Sequence, residues 1–440
     1  MSTGVPLLAS RSRSEHVAQF GPLPDLSSPE RRGRLIDEVE RAGLRGRGGG
    51  WFPTHAKMRA VNESAASRRR LSRGRHPIAI ANGMEGEPAS SKDVALMAAN
   101  PHLVLDGLSL AAQSVGASDA RIAVHRGSAA EEVLTRALRE RDDDPVPIAL
   151  VLPPARYVAS EESALAHWVG DGVATPVFPD RPFQKGVDGR PTLVQNVETL
   201  AHLALIGRNG GDWFRERGCT SAPGTTLVTV AGSVVRPSVV EVPVGTAVLD
   251  ILDQAGGPTQ PLLGYLTGGY GGAWVSAGQL DEATWDPESV RSAGGVIGAS
   301  VLWALGEDTC PLVELDRVTS WMAGESAGQC GPCMFGLPSI AEDVHRLAAG
   351  APGADVVPRL RQRLGLVAGR GGCKHPDGTA RLVATALDAF SKEVLRHEQG
   401  SCSAPEHVGP RLPVPEHVGP RLPVPETRSL TADTARRDFR

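Results

Sequence analysis

The segments HPIAIAN (76–82), PHLVLDGLSLAAQSVGA (101–117), ARIAVH (120–125), SAAEEVLTRALRERD (128–142) and VPIALVL (146–152) follow one another in the first half of the chain. The first, third and fifth are short apolar runs of strand length. The second and fourth are longer, with apolar residues returning every three or four positions, as a helix requires. Gly116 supplies a stop for the second segment. Alternation of this kind joins parallel strands through right-handed helical crossovers. An α/β fold is therefore expected, with a parallel sheet at the centre of a domain spanning residues 31–218.

Upstream of these segments, Arg32–Leu44 reads as a short helix running into a glycine-rich loop, and residues 1–30 as a flexible lead. Downstream the texture changes. GTTLVTVAG (224–232) and VVEVPVG (239–245) read as a hairpin, AVLDILDQAGG (247–257) as a helix closed by glycine, and VIGASVLWAL (296–305) as a strand. This predicts a small mixed sheet with one helix over 222–308. Helical patterning resumes at LVELDRVTSWMAGE (312–325) and continues through ARLVATALDAFSKEVLRHE (380–398), which gives a helical bundle over 309–400, interrupted near its cysteines. The decamer PEHVGPRLPV then occurs twice, at 405–414 and 415–424. Two proline-rich copies are too few for a solenoid, so residues 401–440 are expected to form an extended or disordered appendage.

Bulk composition narrows the class. At 440 residues the chain is long for one core and suggests two or three domains. A net charge of -4 gives no sign of nucleic-acid binding, and 41% hydrophobic with 22% charged residues is ordinary for a soluble globular protein. No apolar run reaches the roughly 18 residues needed to cross a bilayer, and the N-terminus reads as neither signal peptide nor anchor. Six cysteines are too few and too clustered for a disulfide framework, which favours reduced thiols in the cytoplasm, some of them metal ligands.

Four groups of residues suggest chemistry. Gly43-Leu44-Arg45-Gly46-Arg47-Gly48-Gly49-Gly50-Trp51-Phe52-Pro53-Thr54, followed by Lys57, offers bare backbone amides and two cations to a phosphate. It is not the dinucleotide fingerprint, because a helix precedes it and Trp51 stands where the third glycine would fall. The same residues also suit a flexible loop between helices. Asn82-Gly83-Met84-Glu85-Gly86-Glu87-Pro88 follows a strand, where α/β proteins bind ligands, and Glu85 and Glu87 are candidates for ribose hydroxyls. Tyr157 to Ser163 reads as a turn into a helix with Ser160 as N-cap, and capping alone would account for Glu161 and Glu162. Cys330-Gly331-Pro332-Cys333, with Cys373 further on in a Gly-rich turn, has the spacing of a metal or cluster site. Cys219, Cys310 and Cys402 have no such setting and are read as passive.

These groups resemble, in order, the motifs of the NADH-binding flavoprotein subunit of respiratory complex I. GLRGRGGGWFPT with its lysine is similar to that family's GLRGRGGAGFPT loop, NGMEGEPASSKD to NADEGEPGTFKD, and YVASEESAL to Y-x-x-G-E-E-T-A-L. GRPTLVQNVETLAHL resembles P-T-x-V-x-N-V-E-T, and ESAGQCGPCMFG resembles ESCGQCTPCREG. The likeness runs from residue 40 to about 395. It implies a Rossmann-like flavin domain, a ubiquitin-like (SLBB, β-grasp) domain and a helical bundle holding an iron–sulfur cluster. It further implies an FMN-dependent NAD(P)H dehydrogenase of the diaphorase type, working in a hetero-oligomeric redox complex. By motif position, Arg47, Gly48, Gly49, Lys57, Asn82, Glu161 and Asn196 would meet FMN. Phe52, Glu85, Glu87, Glu162 and Phe183 would line the NADH site, and Cys330, Cys333 and Cys373 would hold the cluster. The acceptor would be a ferredoxin-like protein or a membrane cytochrome. The subunit would be cytoplasmic, reaching the inner face of a membrane only through a partner.

The departures from that pattern are specific. Ala327 replaces the first cysteine of C-x-x-C-x-x-C, so the centre is [4Fe–4S] with a fourth ligand from water, Glu325, Ser326 or His375, or else [3Fe–4S]. Met84, Trp51, Ser160 and Gln195 replace an aspartate, two glycines and an asparagine, and Ala60 stands where an aromatic is expected. A rival reading from another class is a catalytically degenerate scaffold with structural zinc at Cys330, Cys333, Cys373 and His375.

Overall fold

The computed structural model of the chain describes residues 6–9, 12–70, 76–141, 144–350 and 355–415. Strands β1 (Ile78–Asn82), β2 (Asp119–Ala123), β3 (Ile148–Val151) and β4 (Thr192–Asn196) form one parallel sheet in the order β3-β2-β1-β4. β1 and β3 fall inside the apolar runs expected as strands, and β2 overlaps the run expected at 120–125 but begins one residue earlier, at Asp119. β4 pairs with β1 residue for residue, Ile78 opposite Thr192 and Asn82 opposite Asn196. The asparagines that end these two neighbouring strands therefore stand side by side at the sheet's carboxyl edge.

Helices α1 (Arg13–Phe20), α2 (Pro29–Ala42), α3 (Thr54–Arg70), α4 (Lys92–Ala99), α5 (Pro101–Ser114) and α6 (Ala129–Arg139) surround this sheet. So do α7 (Glu162–Asp171), the short α8 (Pro182–Lys185) and α9 (Val197–Arg215). Helix α5 is apolar on nearly every side because it lies in the core, where Leu103, Val104, Leu105, Leu108 and Leu110 are fully buried. Each such side chain contributes roughly 1.5–3 kcal/mol relative to exposure. Its Gly107 lies directly against the backbone of Leu200 on α9, at a separation that leaves no room for a β-carbon.

A short hairpin, β5 (Gly218–Cys219) and β6 (Ala222–Pro223), leads into a mixed sheet of β7 (Thr225–Gly232), β8 (Ser238–Pro243), β9 (Leu262–Thr267), β10 (Ala273–Ser276) and β11 (Val301–Gly306). Its order is β10-β9-β11-β7-β8, with β11 parallel to β7 and the other pairs antiparallel. Helices α10 (Val248–Gln254), α11 (Ala277–Leu280) and α12 (Pro287–Ser292) pack on it around Trp285, which is fully buried. The strand expected from Val296 begins only at Val301, and residues 296–300 form a loop with Ser300 at φ +57°. Helices α13 (Pro311–Gly324), α14 (Leu337–Ala348), α15 (Val356–Val367), α16 (His375–Ala389) and α17 (Ser391–Glu398) make the C-terminal bundle.

Both ends of the chain differ from expectation over their described residues. Leu7 and Leu26 are buried, and His16 of α1 bonds Asp106 at 2.8 Å, so this part of the lead is packed on the body. The first decamer is packed as well. His407 bonds Glu314 at 2.9 Å, the Leu412 N–H donates to Glu314 at 2.7 Å, and the Leu412 side chain is buried. One buried leucine and one histidine in a proline-rich run carry no periodicity, which is why pattern reading misses them. Most of the second decamer lies outside the described residues. Among those residues no single helix is long and apolar enough to cross a membrane. α4 and α5 pass that test only together, and they meet at a 99° bend.

Gly107→Ala is expected to lower stability by about 1–3 kcal/mol, because the α5–α9 contact must open. Gly365→Ala on α15, where the added carbon meets nothing, is expected to raise stability by about 0.5–1 kcal/mol. Chemical denaturation of the two variants beside the parent checks the pair.

Candidate active site

The carboxyl ends of β1 and β4 open into a cleft of about 700 Å³, roofed by loops of the second sheet and closed on one side by the helical bundle. The glycine loop forms its floor. Gly48 runs so close to Asn196 that a β-carbon would sit 3.1 Å from the asparagine's own, and Gly49, at φ +102°, runs beside Gly298. The loop delivers the chain into α3, whose first residue is Thr54. Unbonded N–H groups at a helix start favour an anion. The Thr54 hydroxyl is buried and without a partner among the described residues. Lys57, one turn along, pairs with Glu162 at 2.5 Å.

Most of the other expected residues also line this cleft, but several have tasks that the sequence did not reveal. Asn82 donates to the Ser160 carbonyl at 2.9 Å. Asn196 caps α9 by accepting the Glu198 N–H at 2.9 Å, and it donates to Asp93 at 2.6 Å. Glu161, not Ser160, is the N-cap of α7, accepting the N–H groups of Ser163 and Ala164 at 2.9 and 3.0 Å. Ser160 instead ends a preceding 3-10 turn. Glu85 accepts the N–H groups of Asp93 and Val94 at 3.0 and 2.9 Å, so its carboxylate holds the start of α4. Glu87 is buried and accepts the Tyr270 and Ala89 N–H groups at 2.8 and 3.2 Å. Burial raises its carboxyl from 4.5 to about 7, against the lowering effect of those two bonds.

Two expected residues, Arg47 and Phe183, take positions that the sequence did not reveal. The Arg47 guanidinium is buried and donates to the carbonyls of Pro223 and Thr225 at 3.2 and 3.1 Å, with its plane 4.4 Å over Trp51. Burial lowers its pKa to about 10. Arg47 thus braces the cleft wall against the second sheet through Nη2, while its Nε and Nη1 have no hydrogen-bond partner among the described residues. Trp51 reaches this position with φ +49° and packs into the core of the second sheet. Phe183, on α8, is half-buried against the main core and is not part of the cleft wall, whereas Arg181 is. Phe52 does line the cleft and is 58% exposed.

Sequence reasoning missed the contributions of the second sheet and of Gln195. Gly268, Gly271 and Gly298 complete the roof, and the glycine run at 268–272 was the available signal. The Gln195 amide nitrogen is buried at the cleft wall without a partner among the described residues. The Thr54 hydroxyl, the Gln195 amide and the Arg47 Nε and Nη1 are thus donors on cleft-lining residues without a hydrogen-bond partner among the described residues, which fits a phosphate-bearing ligand.

The cysteines meet the cleft from the bundle side. Cys373 and His375 line it, while Cys330 and Cys333 lie next to Cys373. Burial raises the Cys333 and Cys373 thiols, and the neighbouring sulfurs push the same way. Cys330 and Cys373 both act on the Cys333 thiol, so the three sulfurs share one neighbourhood at the edge of the cleft. Glu325 is committed elsewhere, to Arg156 at 3.0 Å and to the Tyr157 N–H at 2.7 Å. His375 bonds the Met322 carbonyl at 2.9 Å through Nε2 and leaves Nδ1 unpaired among the described residues.

A glycine-floored phosphate cleft beside a cluster of thiols defines a flavin- and iron–sulfur-dependent electron-transfer protein. Residues 39–205 match the Nuo51 FMN-binding domain, 227–267 the SLBB domain, and 314–397 the NADH-ubiquinone oxidoreductase-F iron-sulfur binding region. The NADH-quinone oxidoreductase-F protein of Streptomyces coelicolor is 30% identical over 383 residues, covering 83% of each chain. The NADP-reducing hydrogenase subunit HndC of Solidesulfovibrio fructosivorans is 26% identical over 85% of this chain and 78% of its own. Among solved structures, an NAD+-reducing [NiFe]-hydrogenase in the air-oxidized state superposes with a TM-score of 0.79 at 27% identity, over 90% of this chain and 67% of that one. The chain belongs to the NADH-quinone oxidoreductase-F family.

The Glu87 carboxyl gives a pH test. The folded protein holds its proton up to about pH 7 while the unfolded chain releases it near 4.5, so this contribution to stability is complete at low pH and is lost as pH rises through that window. The stability advantage of the parent over Glu87→Gln should therefore be larger at pH 5 than at pH 8, by up to about 3 kcal/mol. Denaturation midpoints at both pH values measure it.

Proposed function

We propose that this chain is the NAD(P)H-oxidising subunit of a hetero-oligomeric redox complex, passing electrons through FMN and an iron–sulfur centre to a protein acceptor. The supporting observation is one cavity that holds both the glycine-floored phosphate site and the Cys373 turn. Bound FMN would supply the step between a two-electron hydride donor and a one-electron centre. We read the chain as three units, over residues 31–218, 222–308 and 309–400, with the cleft where they meet.

In this reading the loop amides of Gly48 and Gly49, the start of α3, the Thr54 hydroxyl and Lys57 hold the FMN phosphate. Lys57, now paired with Glu162, would supply the positive charge for the phosphate, and Glu162 would line the nucleotide side of the cleft. Asn82, Gln195 and Asn196 would line the flavin's side of the cleft, where the Gln195 amide is a donor without a partner among the described residues. Exposed Phe52 and buried Glu87, both lining the cleft, would face the nicotinamide nucleotide. Glu85 and Glu161 act by holding helix starts. Cys330, Cys333 and Cys373 ligate the cluster. His375 is the candidate for the remaining iron, because its Nδ1 is unpaired and the Glu325 carboxylate is already engaged. A ferredoxin-like protein or a membrane cytochrome is the acceptor.

Protein isolated under argon with FMN and iron supplied should show flavin absorbance and a reduced-cluster EPR signal after NAD(P)H. Lys57→Ala should weaken FMN binding about 10- to 100-fold, and Thr54→Val by about 5- to 10-fold, in a flavin-fluorescence titration. Native protein that takes up neither flavin nor iron under these conditions would refute the proposal.

A further inference from the structure

Far from the cleft, two cysteines read as passive in the sequence come together with a histidine and a glutamate. The ligand atoms of Cys310, Glu393, His397 and Cys402 all lie within 4.8 Å of one another, and all but Cys402 are buried. We propose that these four side chains bind one zinc ion, which fastens the chain leaving α17 to the start of α13.

Three features support a tetrahedral ion. The first is spacing. Cys310 Sγ lies 3.3 Å from His397 Nε2, and His397 Nε2 lies 3.3 Å from Glu393 Oε1. With Zn–S and Zn–N bonds of about 2.3 and 2.0 Å, the edges of a tetrahedron are about 3.5 Å, so little movement is required. The second is orientation. His397 directs Nδ1 to the Leu347 carbonyl at 3.2 Å, which places the N–H there and leaves the Nε2 lone pair facing the group. Glu393 is steadied by the Ser403 N–H at 2.8 Å and by Arg396 at 3.1 Å. The third is donor type. Two thiolates, an imidazole and a carboxylate suit zinc, whereas calcium and magnesium require a set of oxygens.

The sequence supplies this geometry economically. Glu393 and His397 are four residues apart and share one face of α17. The turn at Gly400, with φ +74°, brings Cys402 back to them. Cys310 caps α13, and its N–H donates to His407 of the first decamer at 3.0 Å. An ion here would therefore anchor the segment from which the packed decamer begins. With four protein ligands the site is closed, and its role is structural.

Full-length protein purified without a metal-affinity tag, then dialysed against EDTA, should retain about one zinc per chain by plasma mass spectrometry, separately from its iron. Cys402→Ser and His397→Ala should each lose that zinc and become cleavable by protease after Gly400, while Cys330→Ser should lose iron and keep zinc. Cobalt substitution gives an independent readout, because its sulfur charge-transfer absorbance should appear in the parent and be lost in Cys402→Ser. Zinc that is absent from the parent, zinc that leaves with Cys330→Ser but not with Cys402→Ser, or a Cys310–Cys402 disulfide in the native protein would each overturn the proposal. None of these outcomes depends on flavin or on turnover.

Discussion

One buried carboxylate, Glu198, ties the cleft to its surroundings. It sits in the first turn of α9, completely enclosed, and pairs with Lys92 of α4 at 2.9 Å. It also accepts the Thr226 hydroxyl at 3.1 Å and the Leu227 N–H at 2.9 Å, both from β7 of the second sheet. Arg47 lies 3.9 Å away on the other side. Burial works to raise this carboxyl, but Lys92, His202 and Arg47 outweigh it and hold Glu198 ionised, with a pKa of about 2. Removing one member of such a group leaves an uncompensated charge and costs about 3–5 kcal/mol. The glycine loop, the cap of α9 and the second sheet are therefore fixed relative to one another before any ligand arrives.

This network explains how the loop tolerates Trp51. In a cradle made only of glycines a large aromatic would block the phosphate site. Here Trp51 takes a left-handed φ, turns beneath the loop and stacks on Arg47 within the core of the second sheet. Arg47 and Trp51 act together as a packing unit beside the loop amides, Thr54 and Lys57. The positive charge in this sequence was legible, but its destination was not, because no local pattern distinguishes a guanidinium facing a ligand from one facing two carbonyls.

The same limit governs the acidic residues. Strand β1 could be read directly because a buried parallel strand is written as a continuous apolar run, and β2 and the edge strand β3 carry the same kind of run although they are less covered. Helix α3 could not, since THAKMRAVNESAASRRR has no strong apolar stripe and its start is set by the glycine loop that precedes it. Among the glutamates of the cleft, Glu85 and Glu161 each accept two backbone N–H groups at helix starts, and Glu87 accepts a donor from a loop nearly two hundred residues away. Sequence shows that a carboxylate is present. Which donors surround it depends on contacts made only when distant segments meet, and the grouping of Cys310 with Cys402 was hidden for the same reason.

Ala327 can be understood in these terms. Losing a thiolate from a cluster loop removes a ligand, yet the loop's neighbour Glu325 has not been left to replace it. Its carboxylate grips Arg156 and the Tyr157 N–H, joining the bundle to the turn that precedes α7. Tyr157 in turn packs edge-on against Trp321 and lies beside His375. The cysteine-bearing loops are thus held against the cleft by a buried ion pair and by aromatic contacts, independently of how many sulfurs they carry. Electron transfer from the cleft requires that this distance be kept. Ala327 leaves that placement undisturbed, because the loops are positioned by the contacts of Glu325 and Tyr157 rather than by a cysteine at 327.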